Sequence, residues 1–108
     1  MSERQVYDKL VRDRIPEIIE AEGRRCGTEI MDNADFRQAL LAKLIEEAQE
    51  IAASDGRDLM IEIADLLEVV DAIIATFELD RQDILITQAQ RRHARGGFAK
   101  RIKLLWTE

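Results

Sequence analysis

The chain has 108 residues, of which 46% are hydrophobic and 35% charged, and its formal net charge is -6 at pH 7. This balance excludes a disordered chain and predicts one folded domain over residues 1–108. The acidic net charge argues against general nucleic-acid binding, although basic residues gather near the C-terminus. Cys26 is the single cysteine, which excludes an intrachain disulfide and a cysteine-based zinc site.

The N-terminal third predicts short elements. Residues 6–11 are rich in apolar side chains and could be extended. Asp13 can cap a short helix that has Pro16 in its first turn and stops before Gly23. Residues 29–31 could form a strand. Charged side chains interrupt the apolar positions of this region, which argues against a signal peptide or membrane span, so we expect a cytoplasmic protein with no membrane partner.

Two long helices are predicted in the middle of the chain. The first has a cap at Asn33 or Asp35 and ends near Gly56, because its apolar residues recur at steps of three and four. The next runs from Asp58 to about Leu79 and is apolar almost all round. A short turn joins the two, so we expect an antiparallel hairpin.

The C-terminal third predicts one more helix, capped by Asp80 and ending before Gly96, followed by residues 102–106 as a short strand or extended tail. The fold class is therefore all-α, a four-helix bundle that could carry short terminal strands. Four helices cannot cover the apolar third helix on every side, so we expect a homodimer or homotetramer to complete the bundle.

Two pairs of carboxylates mark the predicted hairpin. Glu47 and Glu50 lie three residues apart on the second helix, and Glu62 and Asp65 lie three apart on the third. Each pair projects from one face of its helix, and counting from the turn places Glu47 opposite Asp65. Clustered carboxylates away from bulk water need a neutralising cation. Mg²⁺, with Mn²⁺ as a substitute, is the cofactor that suits oxygen ligands of this kind.

Other interpretations apply to some of these acids. Glu residues at such spacing are common on solvated helix faces, and Lys43 could form an ordinary surface pair with Glu47. Glu68 and Asp71 continue the three-residue step and could be further ligands or surface charges. A di-iron site is excluded, because it needs Glu-x-x-His pairs and the single histidine, His93, lies far from the acids.

Three blocks of sequence carry a resemblance to a known family. The Glu-x-x-Glu within residues 43–50 and the Glu-x-x-Asp of residues 62–65 resemble the signature of the MazG-like all-α nucleoside triphosphate pyrophosphatases. Residues 7–17, which read Tyr-Asp-Lys-Leu-Val-Arg-Asp-Arg-Ile-Pro-Glu, resemble the opening of a small single-domain subgroup that is similar to phosphoribosyl-ATP pyrophosphohydrolases. Residues 95–98 resemble its closing segment. The acids alone are weakly specific, whereas three blocks in this order are stronger.

The resemblance implies a hydrolase that cleaves a nucleoside triphosphate between its α- and β-phosphates and releases a monophosphate and pyrophosphate. It implies that Glu47, Glu50, Glu62 and Asp65 hold Mg²⁺, and that Glu46 or Glu50 is the catalytic base. House-cleaning of the nucleotide pool is the role expected of such a family member. The identity of the base in the nucleotide substrate stays open.

A triphosphate brings several negative charges to an acidic groove, so cationic side chains or close backbone N–H groups are needed as well. Arginine can bind phosphate in a bidentate fork, and glycine lets the backbone approach an anion. The candidates for substrate binding are Lys9, Arg12, Arg14, Lys43, Arg95, Gly96 and Gly97. The alternative is that they are solvated charges, with the glycines ending the fourth helix.

One alternative function belongs to a different class. The apolar third helix could serve as the seam of a non-catalytic dimerisation module, with the acids as its solvated edges. This alternative explains the hydrophobicity, but it does not explain why carboxylates without local cations lie on the most apolar helix.

Overall fold

The computed structural model describes residues 4–108. These residues form four helices, in chain order α1 (Ile15–Ala21), α2 (Asn33–Ala53), α3 (Leu59–Thr76) and α4 (Arg81–Arg95). The predicted all-α fold class is confirmed. None of the helices in this part of the chain combines the length and the apolar character that a bilayer crossing requires.

Aspartate side chains start two of the four helices. The carboxylate of Asp32 accepts a hydrogen bond from the Asp35 N–H at 2.8 Å and caps α2. The cap therefore lies one residue before the predicted Asn33, at a position that satisfies a free N–H of the first turn. Asp80 caps α4 in the same way, with the Asp83 N–H at 3.0 Å, as the sequence predicted.

The start of α1 differs from the prediction. Its N-cap residue is Arg14, not Asp13, and no side chain accepts a hydrogen bond there. The fixed φ of Pro16 in the first turn supports the start of the helix without a side-chain cap. The helix ends before Gly23, whose φ of 79° is a left-handed conformation that favours glycine.

The end of α3 comes earlier than expected. The helix stops at Thr76 rather than near Leu79, and Phe77 is its C-terminal cap. Glu78 has a φ of 56°, a left-handed conformation that a continuing α-helix cannot contain.

The short strands that the sequence allowed do not form, and at residues 102–106 the alternative of a tail without strand pairing is the one observed. Residues 6–11, 29–31 and 102–106 are irregular, and no residue from 4 to 108 is in a strand. A strand needs a partner to pair its backbone N–H and C=O groups, and apolar composition alone does not supply one. The side chain of Ile30 is 97% exposed, which shows that the apolar residue in the middle segment packs against nothing.

Helices α2 and α3 pack against each other, joined by residues 54–58. Near the other end of the pair, the Arg37 guanidinium lies 5.2 Å from the centre of the Phe77 ring. The hairpin is therefore antiparallel, as predicted, and residues whose numbers sum to about 112–114 lie at similar heights. Leu40 and Val69 are the buried apolar side chains among the described residues.

The outward side of this hairpin is also apolar. Leu41 and Ile45 lie one turn apart on α2, and Met60, Ile63 and Leu67 share a face of α3. We call these five residues the outer apolar stripe. All are exposed, Met60 to 85% and Leu67 to 54%.

The chain divides into two compact units. The first ends at Phe77 and contains the α2–α3 hairpin. The second runs from Glu78 to Glu108 and contains α4. The glycine that follows α4, Gly96, has φ 83° and ψ 174°, and its N–H donates to the Arg92 carbonyl at 2.7 Å. That backbone conformation is essentially restricted to glycine, so Gly96 has a structural role at this helix end.

Candidate acidic site

The acidic side chains of the hairpin are neighbours across its two helices. We call Glu47, Glu50, Glu62 and Asp65 the acidic cluster. Glu47 is only 6% exposed, which makes it the buried charged residue of the described chain. Its electrostatic neighbours include Glu50 on its own helix and Asp65 on α3. The predicted placement of Glu47 opposite Asp65 is therefore confirmed.

Burial and repulsion both act on Glu47. Loss of hydration raises the pKa of its carboxyl above the ordinary value, and the negative charges of Glu50 and Asp65 raise it further. Lys43, one turn earlier on α2, opposes this shift with its Nζ 3.7 Å from Glu47 Oε1. One lysine does not compensate for burial and two acids, so a charged Glu47 lies in an unfavourable environment.

Two oxygen atoms of the cluster lack a hydrogen-bond partner. Glu47 Oε2 and Glu62 Oε2 are buried and accept no hydrogen bond. Buried polar atoms are nearly always paired, because an unpaired one loses its hydration without compensation. Such atoms, on two carboxylates of facing helices, indicate a place where a cation or a donor would be stabilised.

The N-terminal segment supplies cations to both helices of the hairpin. Arg12 Nη2 lies 2.7 Å from Asp65 Oδ1 on α3. Lys9 Nζ lies 3.2 Å from Glu46 Oε1 on α2. Residues 9–12 therefore cross the hairpin and contact acids of both helices, with Arg12 and Asp65 separated by 53 positions in sequence.

Glu46 differs from Glu47 because it is well compensated. The hydrogen bond from Lys9 lowers the pKa of Glu46, and the positive charge of Lys43 adds to that effect against partial desolvation. The Lys43 Nζ is 3.5 Å from Glu46 Oε2. Two adjacent glutamates on α2 thus have carboxyl pKa values shifted in opposite directions, one by cations and one by burial.

The remaining candidates from the sequence lie elsewhere. Arg14 pairs with Glu17 on α1 and contacts no acid of the cluster by hydrogen bond or ion pair among the contacts of the described chain. Arg95, Gly96 and Gly97 lie at the end of α4, in the second compact unit. Arg95 is in the last turn of α4, where a cation is favourable for the helix dipole. Their binding of a phosphate stays a prediction.

The described residues contain no group of three or more His, Cys, Asp or Glu side chains arranged to hold a metal ion. Glu47 interacts with Glu50 and Asp65, but the four acids of the cluster do not surround a common point. Cations of the chain itself contact two of them, Arg12 at Asp65 and Lys43 at Glu47. The carboxylates would have to rearrange to surround a metal ion.

Sequence reasoning missed the contacts between the N-terminal segment and the hairpin acids. It identified Lys9 and Arg12 as phosphate ligands but not as partners of Glu46 and Asp65. The one feature of the sequence that pointed to these contacts was the position of two cations, three residues apart, ahead of many acidic residues. Such spacing does not specify a partner tens of residues away.

Comparison with known proteins adds little about activity. No protein-family model matches the chain, and no solved structure matches it. The chain is similar to an uncharacterized protein of Mycolicibacterium smegmatis, with 46% identity over 54 residues. The match covers 50% of this chain and 55% of that protein, so it spans about half the length of each.

Proposed function

We propose that the protein is a divalent-metal-dependent nucleotide pyrophosphohydrolase of the MazG-like kind, which hydrolyses a nucleoside triphosphate to a monophosphate and pyrophosphate. The observation that carries the proposal is Glu47, a buried carboxylate with an unpartnered oxygen next to two further acids. A purely structural helix pair gains nothing from such a residue, because an apolar side chain there would pack without electrostatic cost.

The donor set suits a hard cation. Glu47, Glu50, Glu62 and Asp65 would hold Mg²⁺ or Mn²⁺, since these ions prefer carboxylate oxygens and usually retain several waters. The unpartnered oxygens of Glu47 and Glu62 support this assignment. A bound divalent ion would neutralise phosphate charge and make a coordinated water more acidic.

The contacts of the two candidate bases favour Glu50. Glu46 is paired with Lys9 and Lys43, and these cations lower its pKa, so it is the weaker proton acceptor. Glu50 is exposed to water and lies one turn from Glu47 on the same face. We assign Glu50 as the residue that orients or deprotonates the attacking water.

The positive charges near the cluster suit the phosphates of the substrate. An open pocket beside Glu46 is lined by Lys9, Leu10, Met31, Ala39, Ala42 and Lys43, together with Asp8 and Glu46 itself. Its surface is mainly apolar, and two lysines contribute positive charge to it. Lys9 and Lys43 would bind phosphate oxygens there, in place of Glu46.

The direct test is a product assay on the purified protein with Mg²⁺ and a panel of nucleoside triphosphates that includes modified bases and phosphoribosyl-ATP. Equal amounts of monophosphate and pyrophosphate are expected from at least one substrate, with loss of activity in EDTA. Glu47→Gln should be inactive, whereas Glu20→Gln, which removes an exposed acid from α1, should retain activity. Absence of metal-dependent pyrophosphate from every substrate would reject the enzymatic assignment.

A non-catalytic dimerisation module is the second candidate. The outer apolar stripe favours it, because exposed apolar side chains at helical spacing on packed helices are typical of an interface. A homodimer or homotetramer would cover this stripe under either function. The product assay separates the two, since only the enzyme releases pyrophosphate. Cytoplasmic location and a house-cleaning role are further parts of the enzymatic proposal.

A further inference from the structure

The contact between the N-terminal segment and the acidic cluster has a direct consequence for metal binding. We propose that Arg12 is an internal counterion that competes with a divalent cation for Asp65, so that metal entry frees Arg12 and loosens the attachment of residues 9–12 to the hairpin. The proposal rests on the proposed function, because it assumes that the acidic cluster binds a divalent ion.

The geometry of the ion pair carries the first step. Arg12 Nη2 lies 2.7 Å from Asp65 Oδ1, a distance typical of a charge-assisted hydrogen bond. A divalent cation bound by Asp65 would repel the positive charge of a guanidinium at that distance and would take up the negative charge that attracts it. Arg12 and a divalent cation therefore compete for Asp65.

Lys9 provides the second ion pair between this segment and the hairpin. Lys9 and Arg12 are three residues apart, and they contact Glu46 on α2 and Asp65 on α3, respectively. The segment between them has few other means of attachment, since residues 4–14 are not helical and mostly exposed. Loss of the Arg12 contact would therefore remove one of two ion pairs that hold this segment to the hairpin.

The uneven pairing within the cluster explains why a metal would displace an arginine. Arg12 satisfies Asp65, but Glu47 Oε2 and Glu62 Oε2 stay unpaired and buried. A divalent ion with oxygen ligands could bind these atoms as well as Asp65, which a single guanidinium does not do here. The released Arg12 would then be available for the phosphates that accompany the metal.

The test measures Mn²⁺ binding to the full chain by calorimetry without any nucleotide. Arg12→Gln should bind Mn²⁺ roughly two- to fivefold more tightly than the wild type, the range expected when one partly exposed ion pair no longer competes. Arg24→Gln is the matched control. It removes the same charge, but from an arginine that pairs with Glu22 and not with an acid of the cluster. Its Mn²⁺ affinity should equal that of the wild type.

A second measurement needs no variant. Leu10, between Lys9 and Arg12, is half-buried and lines the pocket beside Glu46. Cleavage of the wild type by chymotrypsin after Leu10 should become faster when Mn²⁺ is added, because the segment loses its contact with Asp65. In Arg12→Gln this cleavage should already be fast and should not respond to Mn²⁺.

The possible outcomes distinguish a failure of the competition from a failure of the proposed function. Equal or weaker Mn²⁺ binding by Arg12→Gln, or unchanged or slower cleavage of the wild type after Leu10 with Mn²⁺, would overturn the competition while leaving the metal site in place. No Mn²⁺ binding by the wild type or any variant would overturn the competition and the proposed metal-dependent function together.

Discussion

The two sides of the α2–α3 hairpin have the reverse of the usual polarity. Between the helices, where apolar side chains normally pack, Glu47 is buried and Glu62 has a buried oxygen without a partner. On the outward side, where charges normally lie, the outer apolar stripe is exposed. An inward acid and an outward apolar surface both oppose stability in an isolated chain. This reversed polarity is what the proposed function requires, namely an inner face that binds a ligand and an outer face that a second subunit covers.

The largest expected effect concerns the outer side. If a second subunit covers the stripe, Leu67→Asp buries an unpaired charge and weakens association by about 3–5 kcal/mol. Light scattering should then show a monomer where the wild type is a dimer or tetramer. Thr28→Asp, which adds the same charge to an exposed position outside the helices, should leave the mass unchanged. A wild-type monomer with full activity would contradict the assignment of the outer side.

The inner side is tested by removing one charge at a time while keeping side-chain volume. If the proposed ligand set is right, Glu47→Gln, Glu50→Gln, Glu62→Gln and Asp65→Asn should each lower kcat by roughly a hundredfold or more, because each removes a charged oxygen ligand. Circular dichroism should show an unchanged helix content. Near-normal turnover by any two of them at saturating Mg²⁺ would show that the ligand set is wrong.

A third experiment tests whether Arg95, a cation outside the hairpin, contributes to binding of the triphosphate. Arg95→Ala should raise KM for the triphosphate roughly tenfold, because it removes charge-assisted hydrogen bonds to phosphate. Its affinity for Mg²⁺ without nucleotide should not change. Lys103→Ala removes a neighbouring positive charge and serves as the control, with kinetics close to the wild type. Unchanged KM in Arg95→Ala would return the end of α4 to a purely structural role.

The smallest expected effect is on stability. In EDTA at pH 7, Glu47→Gln should increase the free energy of unfolding by about 1 kcal/mol, because an amide has no charge to desolvate. Burial raises the pKa of Glu47 in the folded state, so folding favours the protonated form and the penalty grows as the pH rises above the ordinary pKa of 4.5. The advantage of Glu47→Gln should therefore vanish below about pH 4 in urea titrations. If Glu47→Gln were stabilised equally at both pH values, the gain in stability would come from packing and not from the lost charge.

The sequence was sufficient to predict those features of the fold that depend on residues close in sequence. The cap at Asp80 and the end of α4 before Gly96 follow from capping chemistry within one turn, and the structure confirms both. The opposition of Glu47 and Asp65 follows from counting away from a short connection, which is also local reasoning. Apolar runs gave no such guidance at residues 29–31 and 102–106, because strand formation depends on a distant partner.

In the candidate site, the sequence predicted which acids share a helix face, but it did not predict which groups the cations contact. Residues on one helix face share a position by periodicity alone, so Glu47 with Glu50 and Glu62 with Asp65 could be grouped from sequence. The contact between Arg12 and Asp65 depends on the path of residues 4–14, which has no periodicity to constrain it. Whether a cation binds substrate or an acid of its own chain cannot be decided from its residue type.

The contact between Arg37 and Phe77 has a consequence for the order in which the hairpin forms. Residues beside the connection at 54–58 are close in sequence, whereas Arg37 and Phe77 close the largest loop, and loop closure costs more entropy as loops lengthen. Assembly is therefore expected to proceed from the connection towards this pair, which closes last and frays first. The contact of Arg37 with Phe77 is therefore the last to form in the hairpin. Arg37→Ala should speed local opening at that end and leave the connection at residues 54–58 unchanged.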